Sequence, residues 1–155
     1  MFDLIRSLRA SAGLRACAMA VFCCGIAAAS TAPYKSVVAI RELGLSDGAF
    51  SALTLSAAVV NVLASVWLGT LADRDSGYRR LLMWLAATGM AGYSAIFFFP
   101  NATVFVLALL VPVSIFGGLT PMLFAVGRVF SEDLPTADRM GLSSVLRGMV
   151  SAAWI

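Results

Sequence analysis

Four long apolar runs, separated by short polar stretches, dominate the chain. They predict membrane-spanning helices over about residues 16–40, 48–72, 81–99 and 102–126, with a fifth beginning near residue 143 and stopping at Ile155. A span needs about 20 residues to cross a hydrocarbon core of about 30 Å. The four complete runs meet that length. Residues 143–155 make only 13, or roughly 20 Å of helix. The expected fold is therefore an all-α membrane protein with four complete transmembrane helices and a truncated fifth, and with no room for a soluble domain. A chain terminus left in hydrocarbon would cost several kcal/mol. The simplest expectation is that these residues form an incomplete N-terminal transmembrane domain of a longer protein.

Local signals punctuate the runs. The small residues Ala28-Ala29-Ser30-Thr31-Ala32 have the character of a signal-peptide cleavage site. Apolar sequence continues past Pro33 through Val37 to Ile40, which favours one long helix with a proline in its outer half. Ser46 or Asp47 is suited to cap the second helix. Pro100-Asn101 is a minimal turn. Pro112, Gly117, Gly118 and Pro121 predict a kink or break in the second half of the fourth helix. Transporters often set such irregular helices beside the substrate path, although proline and glycine are also more frequent in membrane helices generally. Arg128 to Leu142 is the longest polar stretch, and Pro135 and Gly141 are expected to keep it non-helical.

Ala57, Asn61, Ser65, Gly69 and Asp73 recur at four-residue spacing along the second helix, so they share one slowly drifting face. Small residues in such a stripe let a neighbouring helix approach closely. Asn61 is its polar exception. It either bonds to another helix or lines a polar cavity.

Composition narrows the class. Hydrophobic residues make up 61% and charged residues 12%, with a mean hydropathy of +0.93. Soluble domains carry about 25% charged and about 45–50% apolar residues, so lipid must solvate most of this chain. It contains no histidine, which excludes histidine-based metal sites, triads and proton switches. Cys17, Cys23 and Cys24 all fall in the first run and read as small packing residues. The apolar runs offer no paired carboxylates and no nucleophile–base pair, so an enzyme is not expected. Nothing calls for a metal or cofactor, and no basic face with interleaved aromatics suggests nucleic acid.

The basic residues are asymmetric. Nine of the eleven Lys and Arg lie in the N-terminal segment, the 73–80 turn and the 128–147 region, against only Lys35 and Arg41 on the other side. The positive-inside rule then puts the N-terminus in the cytoplasm of a multi-pass plasma (inner) membrane protein. A reporter fused after Asn101 is expected to be extracytoplasmic and one fused after Asp138 cytoplasmic; the reverse pattern would overturn this topology.

The densest charge is Asp73, Arg74, Asp75, Arg79 and Arg80, five residues within eight positions. Gly69 leaves space for a helix to pack against the last turns of helix 2. Asp73 ends that helix, where the dipole disfavours a carboxylate, so it calls for a cationic partner or another helix's N-terminus. Arg74, Arg79 and Arg80 can anchor at the cytoplasmic face or pair with Glu132 or Asp133. Together these residues suit a latch whose charge pairs form in one conformation and break in another.

The stretch Gly69-x-Leu-Ala-Asp73-Arg74-x-x-Gly77-x-Arg79-Arg80 resembles the helix 2–3 signature of the major facilitator superfamily, G-x-x-x-D-(R/K)-x-G-(R/K)-(R/K), with Gly77 one place late and the basic pair late as well. The late basic pair resembles the sugar efflux transporter branch. So does Leu146-Arg147-x-x-x-Ser151-x-Ala153-Trp154-Ile155, which is similar to its fifth helix. The resemblance covers about residues 14–155. It implies part of the N-terminal six-helix half of a twelve-helix secondary transporter working by alternating access. Its substrate would be a sugar or other small solute. Its partners would be membrane lipid and the missing C-terminal helices. It also implies a conformational latch of Gly69, Asp73, Arg74, Gly77, Arg79 and Arg80, with the partner of Asp73 in the second half. Asn61, Lys35 and Arg147 are the candidates for the substrate cavity, although Lys35 also suits an interfacial anchor and Arg147 could snorkel to headgroups. The competing expectations are a small non-transporting membrane anchor or assembly protein, and a non-functional truncated remnant.

Overall fold

The computed structural model describes residues 12–74, 77–131 and 136–155. The elements are α1 (Ala12–Val37) running into a π-helical turn (Val38–Glu42), α2 (Asp47–Arg74), α3 (Tyr78–Phe98), α4 (Ala102–Ala108) running into a second π-helical turn (Leu109–Val113), α5 (Ser114–Gly117), α6 (Leu119–Val129) and α7 (Thr136–Ala152). Four stretches, Ala12–Glu42, Asp47–Ala72, Tyr78–Phe98 and Ala102–Val129, are long and apolar enough to cross a membrane. The all-helical membrane architecture expected from the apolar runs is therefore present. The first of these stretches begins four residues earlier than expected and continues through Pro33 without a break.

Local chemistry sets the helix boundaries. Ser46 caps α2: its hydroxyl accepts the Ala49 N–H at 3.2 Å. Asn101 caps α4 in the same way, with Oδ1 accepting the Val104 N–H at 2.9 Å. Gly44, at φ 71°, turns the chain between the first two spans in a conformation that side chains with a Cβ rarely adopt. The largest departure from expectation is α7. Sequence places a helix start near Ser143, but the helix is already formed at Thr136 and runs through Gly141. A glycine inside a helix costs only about 1 kcal/mol. Burial of Leu142 and Leu146, four residues apart on one face, outweighs it.

The chain divides into two compact units, Met1–Thr31 with Thr120–Ile155, and Ala32–Leu119. In the second unit the middle of the fourth span is the central strut. Its Ser114, Gly117 and Gly118 face α2, where they meet Asn61, Ser65 and Leu68. Its Pro112, Val113 and Phe116 face α3, where they meet Gly89 and Gly92. Positions three and four apart lie on one helical face, so these two sets form two separate packing surfaces. The apolar core of this unit gathers Ala39, Leu53, Phe105, Leu109 and Val113, from the first, second and fourth spans. The outer face of α2 carries exposed Leu55, Val59, Val62, Leu63, Val66 and Trp67. In water such a face would be prohibitive; in a bilayer it is the lipid surface.

In the first unit, Val21 and Cys17 of α1 are buried, and the Cys17 thiol donates to the Leu123 carbonyl of α6 at 3.2 Å. Gly25 of α1 lies against Val150 and Ala153 at the end of α7. Gly127 of α6 lies against Leu146 of α7 and Cys17. Cys17 is thus a packing residue, as its apolar setting suggests. The three cysteines are free.

Candidate functional site

The irregular middle of the fourth span is where polar side chains converge on backbone. Pro112 has no N–H and its ring crowds the carbonyl one turn earlier, which an α-helix cannot absorb without distortion. The chain widens into the π-helical turn Leu109–Val113 just there. One displaced carbonyl, that of Leu109, accepts from the Ser114 hydroxyl at 2.7 Å. The carbonyl of Ser114 itself accepts from the side-chain amide of Asn61 on α2, at 2.7 Å. The interruption expected from Pro112, Gly117 and Gly118 is therefore real. It begins nearer the middle of the span than expected, and a second break falls at Gly118. Among the described residues, every buried side-chain nitrogen and oxygen has a hydrogen-bond partner.

Of the two roles open to Asn61, the helix-to-helix bond is the one made in this structure. Its amide occupies the space above Gly117 that a Cβ would need. Lys35, half-buried in the last turn of α1, places its ammonium 5.9 Å from the centre of the Tyr93 ring on α3. The Tyr93 ring in turn meets Phe116 edge-on at 6.2 Å. A cation over an aromatic face contributes about 0.5–2 kcal/mol, more as water is excluded. Lys35 and Asn61 thus both connect to the 114–117 segment, one through two aromatic rings and one directly. Arg147 is not part of that arrangement. It lies exposed on α7 in the other unit, along a groove lined also by Thr120, Phe124, Arg128, Ser143, Leu146 and Ser151.

The charged turn has a different character. Gly77 caps the start of α3 and its carbonyl accepts from the Arg80 N–H at 2.9 Å. Arg79 and Arg80 are exposed in the first helical turn. Cations at a helix N-terminus oppose the dipole by about 0.3–1 kcal/mol, so these two do not serve the helix itself. Asp73 and Arg74 close α2 in the backbone. Their side chains, together with Asp75, Glu132 and Asp133, lie outside the described residues. At Gly69 an added Cβ would meet nothing within 4 Å among the described residues. Close approaches of another helix fall at Gly25, Gly89, Gly92 and Gly117.

Sequence reasoning passed over Ser114, Tyr93, Phe116 and Arg128. A signal existed for part of this. Gly89 and Gly92 sit three apart in the small-residue stretch 86–95 of α3, a spacing that suits a contact face. Nothing local marks Ser114 as the recipient of the Asn61 bond, because the pair is 53 residues apart.

Comparison of the chain with protein-family models, with curated proteins and with solved structures returned no match.

Proposed function

We propose that this chain is the N-terminal part of a secondary transporter that exports sugars or other small solutes by alternating access, in a plasma (inner) membrane with its N-terminus in the cytoplasm. The observation that supports the reading best is the fourth span. A helix interrupted at mid-membrane, with Asn61 donating to its freed backbone, is the kind of element on which transporters build solute paths. The resemblance of residues 69–80 to the helix 2–3 signature of the major facilitator superfamily supports the same reading. So does the exposure of Arg79 and Arg80 at the start of α3. In this proposal Asp73, at the end of α2, forms a charge pair in one of the two access states and releases it in the other.

Asp73→Asn in the full-length transporter keeps the shape of the side chain and removes its charge. Export from proteoliposomes is expected to fall at least about tenfold, the effect of about 1.4 kcal/mol in the balance of the two states. Membrane insertion, checked by the same reporter fusions, is expected to be unchanged. Undiminished export would refute the latch.

A second reading, a membrane anchor or assembly protein without transport, draws on one observation. Asn61 donates one amide N–H to the Ser114 carbonyl, a bond that joins two helices and serves no solute. Full-length protein that inserts normally but moves no sugar or drug-like solute in vesicles would favour it.

A further inference from the structure

The groove between α6 and α7 has a chemistry that the transport reading does not use. Both helices contribute one continuous face to it. Thr120, Pro121, Phe124 and Arg128 follow helical spacing along α6, and Ser143, Arg147, Val150 and Ser151 do so along α7. Gly127 lies against Leu146, which sets the two helices in register. The next residue on each helix is an arginine, and Arg128 and Arg147, one from each helix, both line one groove of about 600 Å³. Both side chains are exposed, and among the described residues neither has an acidic partner and no carboxylate lines the groove. The rest of the wall is largely apolar, with the hydroxyls of Thr120, Ser143 and Ser151 spaced along it.

Two guanidinium groups, one from each helix, in an otherwise largely apolar trough are complementary to one class of ligand. We propose that the α6–α7 groove binds an anionic phospholipid, with its phosphate at Arg128 and Arg147 and its acyl chain along Pro121, Phe124 and Val150. The arginine fork is suited to phosphate oxygens and loses little on leaving water. Basic pockets between membrane helices recognise phospholipid headgroups in this way. A soluble phosphate would satisfy the arginines but leave the apolar wall bare. The site needs only this helix hairpin and a surrounding bilayer, so it does not rest on the transport proposal.

The test is headgroup selectivity of the full chain in nanodiscs of mixed phosphatidylglycerol and phosphatidylcholine, read as lipids retained in native mass spectrometry. Retention of phosphatidylglycerol is expected to exceed that of phosphatidylcholine by about tenfold or more at equal abundance. R128Q/R147Q is expected to remove the preference, R128K/R147K to keep part of it, and R79Q/R80Q, which removes the same charge elsewhere, to leave it intact. Equal retention of the two lipids by the unmodified chain would overturn the proposal, whatever the variants do. So would an equal loss in R79Q/R80Q, which would reduce the effect to net charge. Displacement of the bound lipid by millimolar inorganic phosphate would likewise overturn it, because it would make the site one for the free anion.

Discussion

Gly117→Ala is expected to destabilise the chain by about 2–4 kcal/mol, although alanine is the better helix former by about 1 kcal/mol. The added methyl falls on the side-chain amide of Asn61, which cannot retreat without giving up its bond to the Ser114 carbonyl. The cost therefore has two parts: overpacking, at about 1–3 kcal/mol, and a lost interhelical bond, at about 0.5–2 kcal/mol. The second half of the experiment is the more telling one. Asn61→Ala alone forfeits only the bond. In the double variant the methyl added at position 117 has room, so the combined loss is expected to be at least about 1 kcal/mol smaller than the sum of the single losses. Reversible unfolding in mixed detergent micelles, run as a double-mutant cycle, measures this directly. Strict additivity would show that the amide is not what Gly117 accommodates.

Gly89→Val is expected to cost about 3 kcal/mol or more, and to do so on the other face of the same segment. A Cβ at position 89 would fall on the Phe116 ring, close to the atoms nearest the backbone rather than its free edge. Ring rotation therefore gives no relief, and α3 must move away from α5. That movement would also loosen Gly92 from Val113 and Pro112 and draw Tyr93 from its contact with Phe116. Phe116→Leu in the Gly89→Val background is expected to recover part of the loss, because the obstructing ring is gone. Gly69→Ala serves as the comparison, since nothing described lies within 4 Å of its added methyl. It is expected to be neutral or slightly stabilising in the same unfolding assay. A full cost at position 69 and none at position 89 would invert the assignment of which helix faces are packed. If Gly69→Ala leaves stability unchanged but lowers export by the full-length transporter, the glycine of the charged turn is needed for the conformational change and not for this packing.

These two experiments mark where sequence and structure part. Apolar run length alone locates the four spans, because a bilayer imposes one length on every helix that crosses it. Ser46 and Asn101 are readable as boundary residues, because capping is decided within three residues of the helix start. The distortion near Pro112 is readable for the same reason: a missing N–H and a crowding ring act on the preceding turn whatever surrounds them. The start of α7 is misplaced by sequence because its polar first turns lack the apolar periodicity used to find helices, while Leu142 and Leu146 supply the burial that stabilises it.

The candidate site is legible only in its members. Asn61 stands out as an amide in an apolar helix, and Lys35 and Arg147 as charges in apolar runs. Which of them act together is not written locally. Lys35 reaches the fourth span through Tyr93 and Phe116, Asn61 reaches it directly, and Arg147 finds Arg128 across a different groove. The four-residue stripe names the face of α2 that turns inward at Asn61 and Ser65. It could not say that Asn61 and Ser65 are where the fourth span meets that face.

By itself, then, the sequence determined that the chain is helical, that lipid is its solvent, where its spans run and where its fourth span distorts. Each of these follows from solvation or backbone chemistry within a few residues. Only the tertiary structure decided that Gly117 and Gly89 are close contacts, that Asn61 bonds to Ser114, and that two arginines share one groove. Those facts depend on which helix faces meet. In a bilayer no apolar face is driven to burial for its own sake, and packing shape and polar pairing make that choice.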